Sequence, residues 1–242
     1  MDFNGCILRF MAKTKKFAMI LSGCGGMDGS ESHEAICLML AVKLAGAKYM
    51  CFAINEDQKY VMHVNRETGI KQPQDEKRNM LIEAGRLNHG AVHDLKKLVV
   101  NQFDGLVLPG GYGTGTSLSN FIICDGGNCK KNNDYEVRNE IKEIIQAFHE
   151  QKKPIFAGCM APILVNGSLS GINIMTDVGF YTKDIIEKHN NTYKVCNVGE
   201  ICVDEENKIV TAPFYMTPKV EVDDIYDESA KGVAEIIKLC DN

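Results

Sequence analysis

The feature that most constrains the fold is a stretch in which a short apolar segment passes directly into a helical pattern around one cysteine. Residues 154–157 form the apolar segment, and the helical pattern begins at Met160. Pro162 falls in the first turn of this helix, where its missing N–H has no intrahelical partner to lose. Cys159 stands at the junction. The stretch therefore predicts a nucleophile elbow, a sharp strand-to-helix turn with one reactive side chain at its apex.

The neighbours of Cys159 suit such a bend, because Gly158 and Ala161 are small. The helix would direct its N–H groups and the positive end of its dipole at the sulfur, which favours thiolate over thiol. The alternative is an inert cysteine buried behind a strand, since free cysteines are among the most buried residues. This stretch alone supports the two interpretations about equally.

Strands and helices are expected to alternate along the rest of the chain. We predict strands at residues 17–21, 49–54, 103–108, 172–175, 192–195, 201–204 and 208–211, and a small hairpin at 61–69. We predict helices from residue 30 or 32 to 46 and at 75–87, 92–100, 135–150 and 224–239. This alternation predicts an α/β fold with a mostly parallel sheet covered on both faces. One domain is expected over residues 16–242, after a poorly ordered extension of residues 1–15.

The composition argues against several classes of protein. A net charge of −5 at pH 7 and a pI near 5.7 argue against a nucleic-acid surface, because phosphate binding needs a basic stripe and the sequence contains none. No apolar run reaches the roughly 20 residues that cross a bilayer. The ten cysteines lack the regular pairing of a disulfide scaffold, which predicts reduced thiols in the cytoplasm.

The head of the chain is too short and too weakly apolar for a secretion signal. Two questions stay open here. The basic residues before the first strand are compatible with organelle targeting, and translation starts at either Met1 or Met11.

The first predicted helix places polar groups at the carboxyl edge of the sheet. Ser30 or Ser32 is expected to cap it, and His33 and Glu34 lie in its first turn. Loops after parallel strands gather at one edge, so Glu34 and Cys159 would open onto the same crevice. Adjacent helical residues point about 100° apart, so His33 and Glu34 cannot both face Cys159.

Two glycine-rich loops follow predicted strands. Gly110 and Gly111 can turn unhindered N–H groups toward an anion or a developing oxyanion, and a flexible turn is the alternative. Residues 22–26 lack the spacing of a dinucleotide site or a P-loop, so nucleotide binding is disfavoured. Cys24 in this loop would either pack against its neighbours or resolve an oxidised Cys159.

Two residue pairs have spacings that raise the question of a metal. Cys124 and Cys129 flank a glycine turn and would pair or share a metal, but no second cysteine pair completes a structural zinc site. His89 and His93 are spaced for one helix face, and no carboxylate or cysteine nearby completes a ligand set. We therefore predict no metal site.

Several separated motifs together resemble one known family. In chain order they are Ile20-Leu21-Ser22-Gly23-Cys24-Gly25, Asp28-Gly29-Ser30-Glu31-Ser32-His33-Glu34-Ala35, Leu108-Pro109-Gly110-Gly111, Leu118-Ser119-Asn120-Phe121, Cys159-Met160-Ala161-Pro162 and residues 203–213. They resemble the enhancing-lycopene-biosynthesis protein (ElbB) branch of the PfpI and Parkinsonism-associated deglycase superfamily, within the class I glutamine-amidotransferase-like fold. The resemblance covers roughly residue 16 to the end.

This resemblance implies a flavodoxin-like three-layer sandwich, usually a homodimer. It implies that Cys159 is the reactive thiol, that Glu34 is its acidic partner, and that the anion hole is formed by the amides of Gly110, Gly111 and Met160. Further candidates for the crevice are Cys24, His33 and Asn120. The implied activity is a weak glutathione-independent glyoxalase that converts glyoxal to glycolate without a cofactor.

One position departs from related enzymes. Amidotransferases and PfpI-type enzymes carry a histidine after the nucleophile, whereas Met160 stands here, so an amidotransferase subunit would lack its proton carrier. We predict instead that Cys159 attacks a small 2-oxoaldehyde. Glu34 should then be protonated, because a carboxylate beside a thiolate would raise the pKa of both groups. The rival hypothesis is a non-catalytic stress protein that senses redox state through reversible oxidation of Cys159.

Overall fold

The computed structural model describes residues 14–64, 71–125, 128–176 and 183–241. Within these ranges the helices are α1 (Ser32–Leu44), α2 (Met80–Leu87), α3 (Tyr112–Thr116), α4 (Asn139–Glu150), α5 (Pro162–Asn166), α6 (Lys183–Glu187) and α7 (Val222–Cys240). The strands are β1 (Lys16–Leu21), β2 (Lys48–Ala53), β3 (Met62–Val64), β4 (Lys71–Pro73), β5 (Val92–Asp94), β6 (Gly105–Leu108), β7 (Ile122–Asp125), β8 (Asn128–Lys131), β9 (Ile155–Gly158), β10 (Asn173–Thr176), β11 (Thr192–Val195), β12 (Cys202–Asp204) and β13 (Ile209–Ala212). The predicted extension at residues 1–15 lies almost entirely outside the described residues.

A seven-stranded sheet forms the centre of the molecule, in the order β12-β13-β9-β6-β1-β2-β5. Neighbouring strands are parallel except at one edge, where β12 runs antiparallel to β13. Helix α7 packs on α1, β9 and β13, and α4 packs on β6 and β9. The predicted α/β fold, with a mostly parallel sheet flanked by helices, is thus confirmed.

The central strands are buried on both faces. Every residue of β6, β9 and β13 is buried, as are five of the six residues of β1. Such continuous apolar runs are typical of parallel strands covered by helices. Helix α4 shows the matching amphipathic pattern, since Ile141, Ile145 and Phe148 are buried on its inner face. Because these strands are parallel, their carboxyl ends lie together at one edge of the sheet.

One predicted helix is wrong. Residues 92–100 begin with strand β5 and continue into 3-10 turns. The strand pairs in parallel with β2 at the sheet edge, and Asp94 starts the first turn by accepting the N–H of Lys96 at 2.9 Å. Long-range strand pairing has overridden a weak local periodicity. His89 and His93 therefore share no helix face, and no group of three or more His, Cys, Asp or Glu in the described part of the chain could hold a metal.

Helix boundaries also differ from the prediction. Helix α2 begins at Met80 rather than residue 75, because Asn79 caps it by accepting the N–H groups of Leu81 and Ile82. Helix α4 begins at Asn139 rather than residue 135, and the short helices α3 and α6 were not predicted. None of the helices within the described ranges is long and apolar enough to span a membrane.

The cap of α1 is another correction. Glu31 is the N-cap residue instead of Ser30 or Ser32, and its side chain accepts the N–H of Glu34 at 2.9 Å. The Ser30 hydroxyl is engaged elsewhere, because it accepts the N–H of Ser22 at 2.8 Å. A tertiary contact has therefore taken a residue with good capping propensity away from the helix end.

Two hairpins lie beside the main sheet. Strands β3 and β4 form a hairpin that extends beyond the one predicted at residues 61–69, because β3 lies within that range and β4 lies after it. The predicted Thr68-Gly69 turn lies outside the described residues. Strands β7 and β8 form the other, in which Cys124 and Cys129 stand opposite each other and form a disulfide. This pair departs from the expectation of reduced thiols, while the other seven described cysteines are free.

Candidate active site

Strand β9 ends at Gly158, and Cys159 follows in a left-handed backbone conformation with a φ of 53°. That conformation costs a non-glycine residue about 1 to 3 kcal/mol, so the surrounding structure must hold it. The Cys159 N–H donates to the carbonyl of Ala212 at 2.9 Å, and Pro162 opens α5. A Cβ at Gly158 would collide with the ring of Phe214, so a glycine is required before the bend. The predicted nucleophile elbow is confirmed.

The sulfur of Cys159 lies at the floor of the site. The residue is only 6% exposed, and its Sγ accepts hydrogen bonds from the N–H groups of Gly111 and Met160. Gly111 has a φ of 102°, and a Cβ there would collide with the carbonyl oxygen of Gly29. Glycine is therefore needed for the chain to turn this N–H toward the sulfur.

Glu34 lies fully buried in the first turn of α1 and forms a hydrogen-bonded pair with Cys159. Its Oε2 accepts the N–H of Gly110 at 2.9 Å. A Cβ at Gly110 would lie 2.9 Å from that oxygen and 2.5 Å from the Cβ of Cys159, so glycine permits the close approach. The other oxygen, Oε1, is buried and has no well-formed hydrogen bond among the described residues. The N–H of Tyr215 nevertheless lies close enough to lower the pKa of the carboxyl.

Burial dominates the protonation of this pair. Desolvation raises the pKa of Glu34 from 4.5 to about 8, and the negative charge of Glu31 adds to the effect. Desolvation likewise raises the pKa of Cys159 well above its ordinary value, and Glu34 raises it further. At neutral pH Glu34 is therefore protonated, as predicted, and Cys159 is a thiol. The raised pKa of Cys159 runs against the thiolate expected from the helix dipole, because burial and the neighbouring Glu34 both disfavour negative charge on the sulfur.

The anion hole is smaller than the resemblance implies. Gly110 donates its N–H to Glu34, so this donor is already engaged. Gly111 and Met160 remain, with both N–H groups directed at the sulfur of Cys159. Two donors at this point can stabilise negative charge that develops on the sulfur or on an atom bonded to it.

A cavity of about 380 Å³ opens above Cys159. Its wall is formed by Gly26, Met27, Glu31, His33, Gly111, Tyr112, Met160, Tyr215 and Met216. The His33 side chain is 56% exposed, and its Nδ1 lies 2.8 Å from the Tyr215 hydroxyl. His33 thus contacts Tyr215 while Glu34 contacts the sulfur, in agreement with the angle between adjacent helical side chains.

Two of the candidate crevice residues lie elsewhere. Asn120 is exposed on the wall of a different cavity, where its Oδ1 accepts the N–H of Glu136 at 2.6 Å. Cys24 does not line the cavity above Cys159, and its sulfur lies 4.0 Å from the Ser32 hydroxyl. The geometry therefore gives no support to Asn120 in the crevice or to Cys24 as a partner of Cys159.

The turn after the last parallel strand was not predicted to contribute to the site. Strand β13 is parallel to β9 with Ala212 opposite Gly158, so the residues that follow Ala212 enter beside the elbow. Tyr215 and Met216 in that turn line the cavity. Strand order supplies the signal that would have identified them, because the carboxyl ends of adjacent parallel strands share one edge.

Solved structures share this architecture. The isoprenoid biosynthesis protein with amidotransferase-like domain from Ehrlichia chaffeensis superposes with a TM-score of 0.77 at 29% identity, over 92% of this chain and 99% of that chain. DJ-1beta from Drosophila melanogaster superposes with a TM-score of 0.50 at 14% identity, over 95% of this chain and 97% of that chain. The molecule is therefore an α/β protein with the DJ-1 and PfpI type of fold.

Sequence relatives narrow this class to a family. The Homo sapiens glutamine amidotransferase-like class 1 domain-containing protein 3, mitochondrial, is 32% identical over 233 residues, which cover 93% of this chain and 83% of that protein. The Rattus norvegicus ES1 protein homolog, mitochondrial, is 31% identical over 93% of this chain and 84% of that protein. The chain belongs to this family of ES1 and glutamine amidotransferase-like class 1 domain-containing proteins, and the resemblance inferred from sequence is confirmed. No family model matches the chain.

Proposed function

We propose that the protein is a cysteine-dependent, glutathione-independent glyoxalase-like enzyme that acts on small 2-oxoaldehydes and converts glyoxal to glycolate. The observation that carries this proposal is the pairing of Cys159 with the buried, protonatable Glu34 at the floor of a cavity. The N–H groups of Gly111 and Met160 meet at the same point. They support chemistry in which negative charge develops next to the sulfur.

At rest Glu34 is a carboxylic acid and Cys159 is a thiol, so the pair first loses one proton to solvent. The reactive form then holds the remaining proton between Cys159 and Glu34. As this proton moves to the carboxylate, the sulfur attacks the aldehyde carbon, a carbon–sulfur bond forms, and the π electrons of the carbonyl move to its oxygen. The N–H groups of Gly111 and Met160 stabilise the resulting oxyanion. Glu34 then gives its proton to that oxygen, and a neutral hemithioacetal results.

The hemithioacetal then rearranges to a thioester. Glu34, again ionised, removes the hydrogen of the sulfur-bearing carbon as a proton and delivers it to the neighbouring carbon. The electron pair follows through an enediol, so the first carbon is oxidised and the second is reduced. Water hydrolyses the thioester, which restores the Cys159 thiol and releases glycolate. Glyoxal and water together balance glycolic acid, and no external oxidant or reductant is required.

Glycolate formation from glyoxal tests the proposal. We expect Cys159→Ser to lower the rate at least about a hundredfold, since a hydroxyl is a far weaker nucleophile in this setting. Cys24→Ser is the matched control, because Cys24 is a half-buried free cysteine outside the cavity. Equal rates for the wild type and Cys159→Ser would remove the thiol from the mechanism.

Two alternatives fit the site less well. A redox-sensing cysteine needs an accessible thiol of low pKa, whereas burial raises the pKa of Cys159. Glutamine hydrolysis needs an imidazole beside the thiol, whereas Met160 follows Cys159 and His33 contacts Tyr215. Selective oxidation of Cys159 by mild peroxide, together with negligible glyoxal turnover, would favour the sensor.

A mitochondrial location is part of the proposal. The human and rat relatives are named as mitochondrial proteins. This supports the organelle-targeting alternative for the present chain over a cytoplasmic location. A fluorescent protein fused to the carboxyl terminus of the full chain should therefore coincide with a mitochondrial marker, and diffuse fluorescence would contradict the assignment.

A homodimer is also part of the proposal. Helix α1 exposes three apolar side chains at helical spacing, and these are Ile36, Leu40 and Leu44. An exposed apolar stripe of this kind is typical of a surface that another protein covers. Sedimentation should give the mass of a dimer at micromolar concentration, and a monomer at that concentration would contradict this part of the proposal.

A further inference from the structure

The cavity above Cys159 has a largely apolar wall. Met27, Tyr112, Tyr215 and Met216 line it and are only half-buried, so their apolar surface is accessible from the opening. Concave apolar surface next to a few polar groups is the usual form of a small-molecule site. Methionine adds adaptability, because its unbranched side chain adjusts to ligands of different shape.

The cavity is larger than glyoxal requires. Its volume of about 380 Å³ would hold on the order of ten water molecules at about 30 Å³ each. Glyoxal consists of linked aldehyde groups with no apolar substituent, so it would leave most of this wall uncovered. A substrate with an apolar group would bury the wall and gain the free energy of that burial.

The charged groups around the cavity disfavour anions. The wall contains the carboxyl group of Glu31, whose Oε1 lies 4.0 Å from the Nδ1 of His33. Neither lysine nor arginine occurs among the described residues that line it. A carboxylate or phosphate group on a substrate would therefore lose water without gaining a lysine or arginine partner, and it would lie near the carboxyl group of Glu31.

We propose that the cavity selects 2-oxoaldehydes whose keto carbon carries an uncharged apolar group, either aryl or branched alkyl. This inference rests on the proposed function for its chemistry and extends it to a class of substrate. Cys159 attacks the aldehyde carbon while the apolar group packs on Met27, Tyr112 and Met216. The proton then moves from the sulfur-bearing carbon to the keto carbon, and hydrolysis of the thioester releases a 2-hydroxy acid. Substrate and water together balance this product.

Alkylation of Cys159 measures the preference without requiring turnover. The probes are phenacyl bromide, an uncharged aryl ketone; iodoacetamide, which is uncharged and polar; and iodoacetate, an anion. Mass spectrometry of the Cys159 peptide gives each rate constant, which is divided by the rate constant of the same reagent with N-acetylcysteine. We expect the normalised rate for phenacyl bromide to exceed that for iodoacetamide at least about tenfold, with iodoacetate slowest. Equal normalised rates, or a fastest reaction with iodoacetate, would overturn the proposal.

A matched pair of variants tests the wall itself. Met216→Gln replaces the thioether with an amide of similar length, and Met216→Leu keeps an apolar side chain. We expect the preference for phenacyl bromide to fall several-fold in the first variant and to persist in the second. Met27→Gln gives the same test at another position if Met216→Gln does not fold. A preference unchanged by the folded glutamine variants would count against the proposal.

Turnover separates this inference from the proposed function. After normalisation for intrinsic reactivity with a free thiol, kcat/KM for phenylglyoxal, measured as mandelate, should exceed that for glyoxal at least about tenfold. Faster normalised turnover of glyoxal would overturn the substrate class alone. Selective alkylation by phenacyl bromide without turnover of either aldehyde would overturn the proposed catalysis and still support the apolar preference of the cavity.

Discussion

Glu34 and Glu228 are both fully buried carboxyl groups on helices, yet their surroundings differ. The two oxygens of Glu228 accept the N–H groups of Gly199 and Phe214, at 2.7 and 2.9 Å. Glu34 accepts one well-formed bond of this kind, from Gly110 at 2.9 Å, and it also lies near the sulfur of Cys159 and the N–H of Tyr215. Both oxygens of Glu228 are thus bonded to backbone, whereas Oε1 of Glu34 has no well-formed hydrogen bond among the described residues.

A raised pKa is common to Glu34 and Glu228, so it does not explain their different roles. Burial raises the pKa of Glu228 as it does that of Glu34. The neighbours separate them, because Glu34 contacts a nucleophile beneath a cavity and Glu228 contacts amides. The two sites also share a turn, since the Phe214 N–H binds Glu228 while the next N–H, from Tyr215, lies near Glu34. We infer that Glu228 holds the turn that completes the site around Glu34.

The largest effect should come from Glu34→Gln. The amide cannot take or return a proton, so kcat/KM for glyoxal should fall at least about a hundredfold. Glu228→Gln is the matched change at the other buried carboxyl group, and it should cost less than about tenfold because Glu228 touches neither the sulfur nor the cavity. Comparable losses of kcat/KM in steady-state assays would mean that the two carboxyl groups do not have separate roles.

Glu228→Ala should produce the larger effect on stability. It leaves the N–H groups of Gly199 and Phe214 without their acceptor, and each unsatisfied group costs about 1 to 3 kcal/mol. The free energy of unfolding in urea should therefore fall by at least about 2 kcal/mol. Glu34→Gln retains an oxygen that can accept from Gly110, so its loss should stay within about 1 kcal/mol. A Glu228→Ala protein as stable as the wild type would show that this turn is held by other contacts.

The pH dependence of stability should reveal the buried proton of Glu34. Above pH 4.5 the unfolded chain loses this proton, whereas the folded protein keeps it until about pH 8. The unfolded state then binds fewer protons, so the free energy of unfolding falls as pH rises through this window. The stabilisation is complete below pH 4.5 and is lost as pH passes about 8.

Glu34→Gln isolates this contribution, because Glu228 and the other titrating groups are common to both proteins. The wild type should lose stability relative to Glu34→Gln by at most about 1.4 kcal/mol per pH unit within the window. Urea unfolding at intervals of pH measures the difference between the two proteins. A difference that does not change with pH would show that the carboxyl group of Glu34 titrates alike in the folded and unfolded states.

The sequence was sufficient to predict a residue's role where that role follows from the size of its side chain or from the order of the strands. Gly158 and Ala161 are small because the backbone bends around Cys159, and an apolar run before them identifies the strand. The shared carboxyl edge of parallel strands places the first turn of α1 opposite the elbow. These constraints act over a few residues or follow from the topology alone, so the fold and the shared crevice of Cys159 and Glu34 could be inferred before any coordinates. The choice of Glu34 as the acidic partner was implied by the family resemblance.

Roles that depend on competition for hydrogen bonds could not be predicted in this way. Ser30 has a better capping propensity than Glu31 but is engaged by Ser22, so the glutamate caps the helix. Gly110 resembles Gly111 in sequence, yet only its N–H is taken by Glu34. Each outcome is decided by which acceptor the packed chain brings near a donor.

The smallest effect is expected from Tyr215→Phe. It removes a hydroxyl that lies 2.8 Å from the Nδ1 of the exposed His33 and keeps both the ring in the cavity wall and the N–H near Glu34. A single hydrogen bond at a solvent-accessible position contributes about 1 kcal/mol or less. The free energy of unfolding should therefore fall by less than about 1 kcal/mol, and kcat/KM should fall by less than about fivefold. A loss of kcat/KM as large as that in Glu34→Gln would place the hydroxyl in the proton path. Glu34 would then not be the only group that moves the proton, and the His33 and Tyr215 pair would share that role.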